Sequence, residues 1–240
     1  MKLDILAFGA HPDDVELSCS GTIAKHIAMG KKVGIVDLTA GELGSRGSAE
    51  LRFKESAKAS EILGISAREN LKLPDGFFEN RPMEQLEVVK MIRKYQPEIV
   101  FCNAKHDRHP DHAKGGDLVS VACFLAGLLK IETTLGGEKQ THWRPKAVYH
   151  YVQDRILEPD FVVDITPYYE TKIASIKAYA SQFYSEDDNG EKVETPISSK
   201  EFWDVITARM LDFGRPINAK YAEAFTVERT IGVNNVFDLI

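Results

Sequence analysis

Short apolar segments alternate with longer amphipathic ones through the first 130 residues of this 240-residue chain, and this alternation constrains the fold most. The apolar runs predict strands at residues 3–10, 32–39, 70–73 and 98–103. The segments that follow them predict helices at residues 22–29, 49–63, 83–95 and 112–130. Strict alternation implies right-handed βαβ units around a parallel sheet with helices on both faces. The sequence therefore predicts a Rossmann-like α/β fold with a mostly parallel sheet.

The rest of the chain continues this pattern less regularly. Residues 147–152 and 161–165 predict further strands, residues 168–183 and 199–213 predict helices, and a polar loop at residues 184–198 joins these helices. Because we find neither a linker-like segment nor an internal repeat, we expect a single domain over residues 1–240. Residues 226–240 carry no motif, so that a subunit interface and a C-terminal strand both stay open there.

The composition is that of an acidic globular protein, with 43% hydrophobic residues, 28% charged residues and a formal net charge of −6. This balance argues against nucleic-acid binding, which depends on basic residues that neutralise phosphates. Three cysteines without a CxxC pair indicate a reducing compartment. The N-terminal segment does not resemble a signal peptide, and no apolar run reaches the roughly 20 residues of a membrane span. We therefore expect a cytoplasmic protein with no membrane or nucleic-acid partner.

Two clusters of metal-binding residue types follow the first and the fourth predicted strands. Residues 11–16 read HPDDVE, and residues 106–112 read HDRHPDH. In the usual doubly wound strand order 3-2-1-4-5-6, strands 1 and 4 are neighbours, and the crevice at their carboxyl ends binds ligands. Two imidazoles and a carboxylate with an open fourth position form a catalytic zinc site. A lone aspartate at such a position is more typical of a helix cap, but the convergence of two clusters favours a metal site.

These motifs resemble those of the LmbE-like (PIG-L) zinc deacetylases. The resemblance rests on HPDD at residues 11–14, HPDH at residues 109–112, the loop TAGELGSRG at residues 39–47, and Arg52, and it extends to about Phe225. It implies a Rossmann-like fold and hydrolysis of the N-acetyl group of a glucosamine-containing substrate.

Three further segments resemble one subgroup of that family, the deacetylases of bacillithiol biosynthesis. They are ASQF at residues 180–183, TPISS at residues 195–199 and YAEAF at residues 221–225. This finer resemblance implies a small amino-sugar conjugate, N-acetylglucosaminyl malate, as the substrate.

The resemblance also implies a role for each residue of the two clusters. The implied metal ligands are His11, Asp14 and His112, which would hold one zinc ion per chain, although iron(II) suits the same ligands. Asp13 matches the general base, His109 the residue that stabilises the oxyanion, and Asp111 the partner that keeps His109 protonated. Whether His109 or Asp13 protonates the leaving amine stays open at this point.

Four residues are candidates for substrate binding. Arg52 matches a position that the family uses near the substrate, and a guanidinium binds carboxylates such as malate in a bidentate manner. Arg46 in the glycine-rich loop is a second candidate for an anionic substrate. Arg108 suits either a substrate contact or a structural salt bridge, and Gln182 suits either the pocket or the end of a helix.

Other functions remain possible at this point. An amidase that cleaves a larger acyl group from a thiol–sugar conjugate would use the same metal chemistry. Two histidines and a carboxylate also suit a non-haem iron(II) oxygenase. In a third alternative, the chain is a non-catalytic sugar- or nucleotide-binding module. Relatives with this fold assemble, so we also expect a homo-oligomer.

Overall fold

The computed structural model describes residues 1–184 and 193–239, so that residues 185–192 of the predicted polar loop lie outside the described residues. The strands are β1 (Ile5–Gly9), β2 (Val33–Thr39), β3 (Ala67–Leu73), β4 (Ile99–Cys102), β5 (Thr134–Leu135), β6 (Glu138–Lys139), β7 (Ala147–Tyr151), β8 (Phe161–Asp164) and β9 (Ala222–Val227). The helices are α1 (Asp14–Ala28), α2 (Ala49–Leu63), α3 (Pro82–Tyr95), α4 (Pro110–Ala126), α5 (Tyr169–Lys177) and α6 (Glu201–Gly214), with 3₁₀ turns at Thr166–Tyr168, Arg215–Ile217 and Val236–Asp238.

Seven of these described strands form one sheet in the order β3-β2-β1-β4-β7-β9-β8. The first five strands of that order run parallel, and β9 pairs antiparallel with both β7 and β8. The predicted Rossmann-like, mostly parallel α/β fold is thus confirmed, in a single domain. Strands β5 and β6 form a separate short hairpin.

Alternate residues of the central strands face opposite layers of helices, as the two-residue period of a strand requires. Leu6 and Phe8 of β1 belong to a core that includes residues of α3 and α4, whereas Ile5 and Ala7 belong to one that includes residues of α1. Helices α2 and α5 pack beside α1 on that second face. Both faces of β1 are therefore buried. The polar residues next to β1 in the sequence lie beyond its two ends.

The bounds of α2 agree with the prediction because both ends carry strong local signals. The Ser48 side chain accepts a hydrogen bond from the Leu51 amide, and Gly64 adopts the left-handed conformation that ends the helix. Helix α1, in contrast, begins at Asp14 and not at residue 22. The prediction missed its first turns because Glu16 and Ser20 interrupt the apolar pattern, although both are buried among polar partners.

The C-terminal part differs most from the prediction. Helix α5 ends at Lys177, whereas the sequence predicts a helix to residue 183. The chain turns there, and the Ser181 amide and hydroxyl both donate to the Glu55 carboxylate of α2 at 2.7 Å. Strand β9 was not predicted, because the buried Glu223 interrupts its apolar pattern, and it separates β8 from β7 in the sheet. In the described parts of the chain, no helix combines the length and apolar character needed to cross a bilayer.

Candidate metal and active site

The two histidine- and aspartate-rich clusters meet at one edge of the sheet. Strand β1 pairs in parallel with β4, so that the segments after both strands leave the sheet at the same edge. The ring centroids of His11 and His109 are 4.7 Å apart, those of His109 and His112 5.1 Å, and those of His11 and His112 5.7 Å. The predicted convergence of the two clusters is therefore present in the structure.

The Asp14 carboxylate lies between the two histidines that the resemblance gave as metal ligands. Its Oδ1 is 3.1 Å from His112 Nε2, and its Oδ2 is 3.7 Å from His11 Nδ1. The amide groups of Asn103 and Gln153 donate to the same carboxylate at 3.0 and 3.3 Å. Burial alone would raise the pKa of Asp14, but the adjacent His112 and His11 rings outweigh burial and lower that pKa below its ordinary range.

Two further carboxylates orient these histidine rings. Asp75 Oδ1 is 3.1 Å from His11 Nε2, and Asp107 Oδ2 forms a hydrogen bond with His112 Nδ1. Both carboxylates are anchored in turn, because Asp75 accepts from the Leu43 amide at 2.9 Å and Asp107 accepts from the Arg155 amide at 2.7 Å. Carboxylates in this position fix the tautomer and the orientation of metal-binding imidazoles.

The sequence analysis did not name Asp75 or Asp107. Asp75 lies just after the end of β3, at the same edge of the sheet as the two clusters. Asp107 stands five residues before His112. Both residues could have been found in the sequence from these positions.

The donor set fits a divalent transition metal. His11 Nδ1, His112 Nε2 and an Asp14 oxygen are two imidazole nitrogens and one carboxylate oxygen, a combination that suits zinc or iron(II). His11, His109 and His112 each offer one atom that could bind a metal, and these three atoms lie within 4.8 Å of one another. The same holds for one atom each of His11, Asp75 and Asp111. The orienting carboxylates add the outer layer of hydrogen bonds that natural metal sites have.

Asp13 is adjacent to Asp14 but has a different environment. Its backbone has φ of 120° and ψ of −24°, a conformation that non-glycine residues rarely adopt and that is found mostly at functional sites. Its carboxylate is buried, and within the described residues it accepts no hydrogen bond. Burial raises the pKa of Asp13 to about 7, although the Arg52 guanidinium opposes this increase.

His109 is the N-cap residue of α4. Its Nδ1 accepts a hydrogen bond from the Asp111 amide at 3.2 Å, so that a neutral His109 carries its proton on Nε2. Burial, followed by the nearby His11 and His112 rings, lowers the pKa of His109. The accepting Nδ1 and the lowered pKa both favour a neutral His109 that donates from Nε2 over an imidazolium.

The Asp111 carboxylate forms no hydrogen bond or ion pair with His109 among the described residues, so its action on His109 stays a prediction. The carboxylate lies 3.5 Å from His11 Nε2 and 2.6 Å from Lys114 Nζ, and it accepts the Gly76 amide hydrogen at 2.7 Å. The reason is geometric, because Asp111 lies in the first turn of α4 and only its backbone amide reaches His109 Nδ1. The Asp111 carboxylate thus connects His11 with Lys114 and with the Gly76 amide in the loop after β3.

The glycine-rich loop covers two of the four candidate substrate-binding residues. Arg52 donates a hydrogen bond to Gln182, which itself donates to the Arg46 carbonyl at 2.8 Å. The loop needs glycine at Gly41 because its φ is +66°, and a Cβ atom there would also displace the Arg52 guanidinium. The Nε of Arg52 is buried without a hydrogen-bond partner among the described residues.

The other two candidates lie in different surroundings. Arg46 is buried, and its guanidinium donates to the carbonyls of Ser181 at 2.9 Å and Val193 at 3.3 Å. Arg108 is exposed and forms a salt bridge with Asp154 at 2.9 Å, which is the structural alternative considered above. Substrate binding by these two arginines stays a prediction.

Comparison with known proteins agrees with this geometry. The PIG-L family, described as GlcNAc-PI de-N-acetylase, matches residues 6–123, which include both clusters. The conserved protein TT1542 from Thermus thermophilus has a similar structure, with a TM-score of 0.83 and 36% identity over 97% of this chain and 98% of that one. The chain belongs to the PIG-L family.

Two curated relatives indicate the chemistry of this family. Diacetylchitobiose deacetylase from Thermococcus kodakarensis is 27% identical over 231 residues, which cover 91% of this chain and 80% of that protein. Mycothiol S-conjugate amidase from Streptomyces coelicolor is 29% identical over 180 residues, but these cover only 62% of this chain and 60% of the amidase. Like these PIG-L relatives, the chain is an amide hydrolase.

Proposed function

We propose that this chain is a zinc-dependent N-deacetylase that acts on an N-acetylglucosamine conjugate. The observation that carries the proposal is the free Asp13 carboxylate beside the group formed by His11, Asp14 and His112. Three protein ligands leave an open coordination position, and a separate carboxylate is left for proton transfer. One zinc ion per chain is expected, and iron(II) suits the same ligands.

When bound, zinc acts as a Lewis acid that polarises the amide carbonyl and makes the attacking water more acidic. Asp13 accepts the proton of that water at its carboxylate, because Asp14 is already committed to the histidines and to two side-chain amides. His109 donates a hydrogen bond from Nε2 to the carbonyl oxygen as negative charge develops there. Protonated Asp13 then returns its proton to the amine, since a neutral His109 with a single N–H serves best as the donor to the oxygen.

We further propose N-acetylglucosaminyl malate as the substrate, which would place the enzyme in bacillithiol biosynthesis. Arg52 supports this assignment because its buried guanidinium has unused hydrogen-bonding capacity and matches the geometry of a carboxylate. Gln182 accepts a hydrogen bond from this guanidinium, which lies close to Gly41 and Gly44 of the glycine-rich loop. Arg46 and Arg108 are secondary candidates for contacts with the malate carboxylates.

An amide-hydrolysis assay over three substrates tests the proposal, with acetate as the product measured for the two N-acetyl compounds and the freed glucosaminyl amine for the S-conjugate. The panel consists of N-acetylglucosaminyl malate, free N-acetylglucosamine and a bacillithiol S-conjugate, each with and without a zinc chelator. We expect chelator-sensitive acetate release, with the highest kcat/KM for the malate conjugate. Equal activity on the first two substrates would remove the malate assignment, and cleavage of the S-conjugate alone would establish the amidase, which the similarity to mycothiol S-conjugate amidase supports.

We also propose a cytoplasmic homo-oligomer. The cysteines Cys19, Cys102 and Cys123 are free and buried, which suits a reducing compartment. Beyond β9, the side chains of Val236 and Phe237 are 71% and 85% exposed, and such exposed apolar groups suit a subunit interface. Light scattering on the purified protein would give the mass of the assembly, and a monomer would contradict this proposal.

A further inference from the structure

Helix α1, which carries Asp14, consists of two helical segments. Cys19 interrupts it with φ of −142° and ψ of 15°, so that residues 14–18 form one segment and residues 20–28 form another. A break of this kind leaves C=O groups on one side and N–H groups on the other without partners inside the helix. The segment contains no proline, but Ser20 and Gly21 directly follow the break, and side-chain groups from other elements insert into it.

A buried ion pair from two distant elements fills this break. Lys172 of α5 donates from Nζ to the carbonyls of Glu16 at 3.0 Å and Leu17 at 2.7 Å, which end the first segment. Glu223 of β9 accepts the amide hydrogens of Gly21 at 2.9 Å and Thr22 at 2.6 Å, which begin the second segment.

The two charged groups also contact each other, with Lys172 Nζ 2.8 Å from Glu223 Oε1. Lys172 and Glu223 are only 1% and 2% exposed. All three ammonium hydrogens of the lysine therefore have an acceptor, and both carboxylate oxygens have a donor. The positive charge lies at the carboxyl end of one segment and the negative charge at the amino end of the next, as the dipoles of the two segments favour.

The first segment is the part of α1 that enters the site. It begins directly after the strained Asp13, and its first residue is Asp14. The Leu17 amide donates to the Asp13 carbonyl at 2.9 Å, so that one short turn connects Asp13 with the residue whose carbonyl Lys172 binds. A displacement at the break would therefore be transmitted to Asp13 and Asp14.

We propose that the Lys172–Glu223 ion pair is a positioning device for the metal site. It fixes the break in α1 at Cys19 and thereby sets the direction from which Asp13 and Asp14 enter the site. Neither residue contacts a candidate metal ligand through its side chain among the contacts of the described residues. This role rests on the metal site of the proposed function. It also explains why the segment YAEAF at residues 221–225 contains the buried Glu223.

Zinc affinity and steady-state kinetics of Glu223→Gln test this proposal. The substitution keeps the size of the side chain but removes one of the two acceptors and leaves Lys172 without an anion. We expect zinc affinity, measured by competition with a chromogenic chelator, to fall about 10- to 100-fold, as it does when outer-layer groups of metal sites are altered. We expect kcat to fall with KM unchanged, because Arg52, the main candidate for substrate binding, lies on α2 and not on α1.

The double variant Lys172→Met/Glu223→Gln covers the case in which the single variant does not fold. It leaves no unpaired buried charge, and removing both charges of a buried pair is far less destabilising than removing one. We expect this variant to fold, with a melting temperature closer to that of the unmodified protein, and still to bind zinc more weakly. Unmodified zinc affinity and kcat in either folded variant would overturn the proposal.

Arg93→Met is the matched control. Arg93 is another buried cation, and it donates to the carbonyls of Ala126, the last residue of α4, and of Leu128 and Ile131 beyond it. We expect this variant to lose stability but to keep its zinc affinity. An equal loss of zinc affinity in Arg93→Met would overturn the proposal, because the effect would then follow from lost stability alone. Zinc affinity is measured without substrate, so absence of acetate release would count against the proposed function only.

Discussion

The first four parallel strands and the C-terminal part of the chain contribute differently to the site. The segments after β1 and β4 present His11, Asp13, Asp14, His109 and His112. The C-terminal part presents no candidate ligand or base among its described residues, but its buried polar groups hold those residues in place: Gln153 binds Asp14, Gln182 binds Arg52, and Glu223 binds the backbone of α1. The part with the four parallel strands thus supplies the reactive groups together with the nearby carboxylates Asp75 and Asp107, and the C-terminal part adds supporting contacts from distant positions in the sequence.

This difference shows that the reactive residues and the residues that support them are distributed differently along the sequence. The reactive groups stand within two short motifs because parallel strands bring their own loops to one edge. The supports come from any element that packs nearby, at sequence separations of up to 202 residues, as between Gly21 and Glu223. Substitutions in the two groups should therefore differ in kind and in size.

The largest effect is expected from Asp14→Ala. This substitution removes the carboxylate that lies between His11 and His112, so that only two of the three proposed ligands remain. We expect loss of stable zinc binding and of acetate release. Metal analysis of the purified variant by mass spectrometry checks this outcome, and stoichiometric zinc in Asp14→Ala would mean that other residues bind the metal.

Asp13→Asn should separate the chemical step from metal binding. The variant keeps the size of the side chain but cannot accept a proton, and base catalysis contributes roughly 100- to 10,000-fold to the rate. We expect kcat to fall by that factor while the zinc content stays unchanged. A near-normal kcat with full zinc occupancy would remove Asp13 from the role of base.

The sequence was sufficient for the parallel strands and for the convergence of the two clusters at one edge of the sheet. Alternating apolar runs predicted the parallel strands, and the edge at which β1 and β4 end followed from the topology. It was insufficient where buried charges interrupt the apolar pattern, as Glu16 does in α1 and Glu223 in β9. Such residues look exposed in a pattern of hydrophobicity, and only their tertiary partners Arg68, Tyr179 and Lys172 make their burial possible.

Asp111 illustrates a second limit of the sequence. Its place in the HPDH motif predicted its proximity to the metal site, and this proximity is present. Its partner, however, depends on the direction of one side chain in the first turn of α4, and this direction is set by Lys114 and the Gly76 amide. Motif spacing does not encode contacts of this kind.

A smaller effect is expected from Asp107→Asn. The amide retains a hydrogen bond to His112 but removes the charge that favours the required tautomer. We expect zinc affinity to fall about 10- to 100-fold. Isothermal titration with zinc checks the result, with Asp154→Asn as the control, because Asp154 is a carboxylate of the adjacent surface that contacts Arg108 and not a histidine of the site.

The smallest effect is expected from Arg52→Lys. Lysine keeps the positive charge but not the planar fork that binds a carboxylate in two places. We expect KM for N-acetylglucosaminyl malate to rise about fivefold, which corresponds to roughly 1 kcal/mol for one weakened charged hydrogen bond. KM for free N-acetylglucosamine should not change, and an equal rise for both substrates would place Arg52 away from the malate group.

Zinc titration of metal-free protein, with acetate release as the readout, tests the proposed zinc-dependent deacetylation most directly. We predict no acetate from N-acetylglucosaminyl malate before zinc is added, a linear rise with each addition, and saturation at one zinc ion per chain. Acetate release by the metal-free protein, or none after one equivalent of zinc has bound, would contradict a metal-dependent deacetylase built on His11, Asp14 and His112.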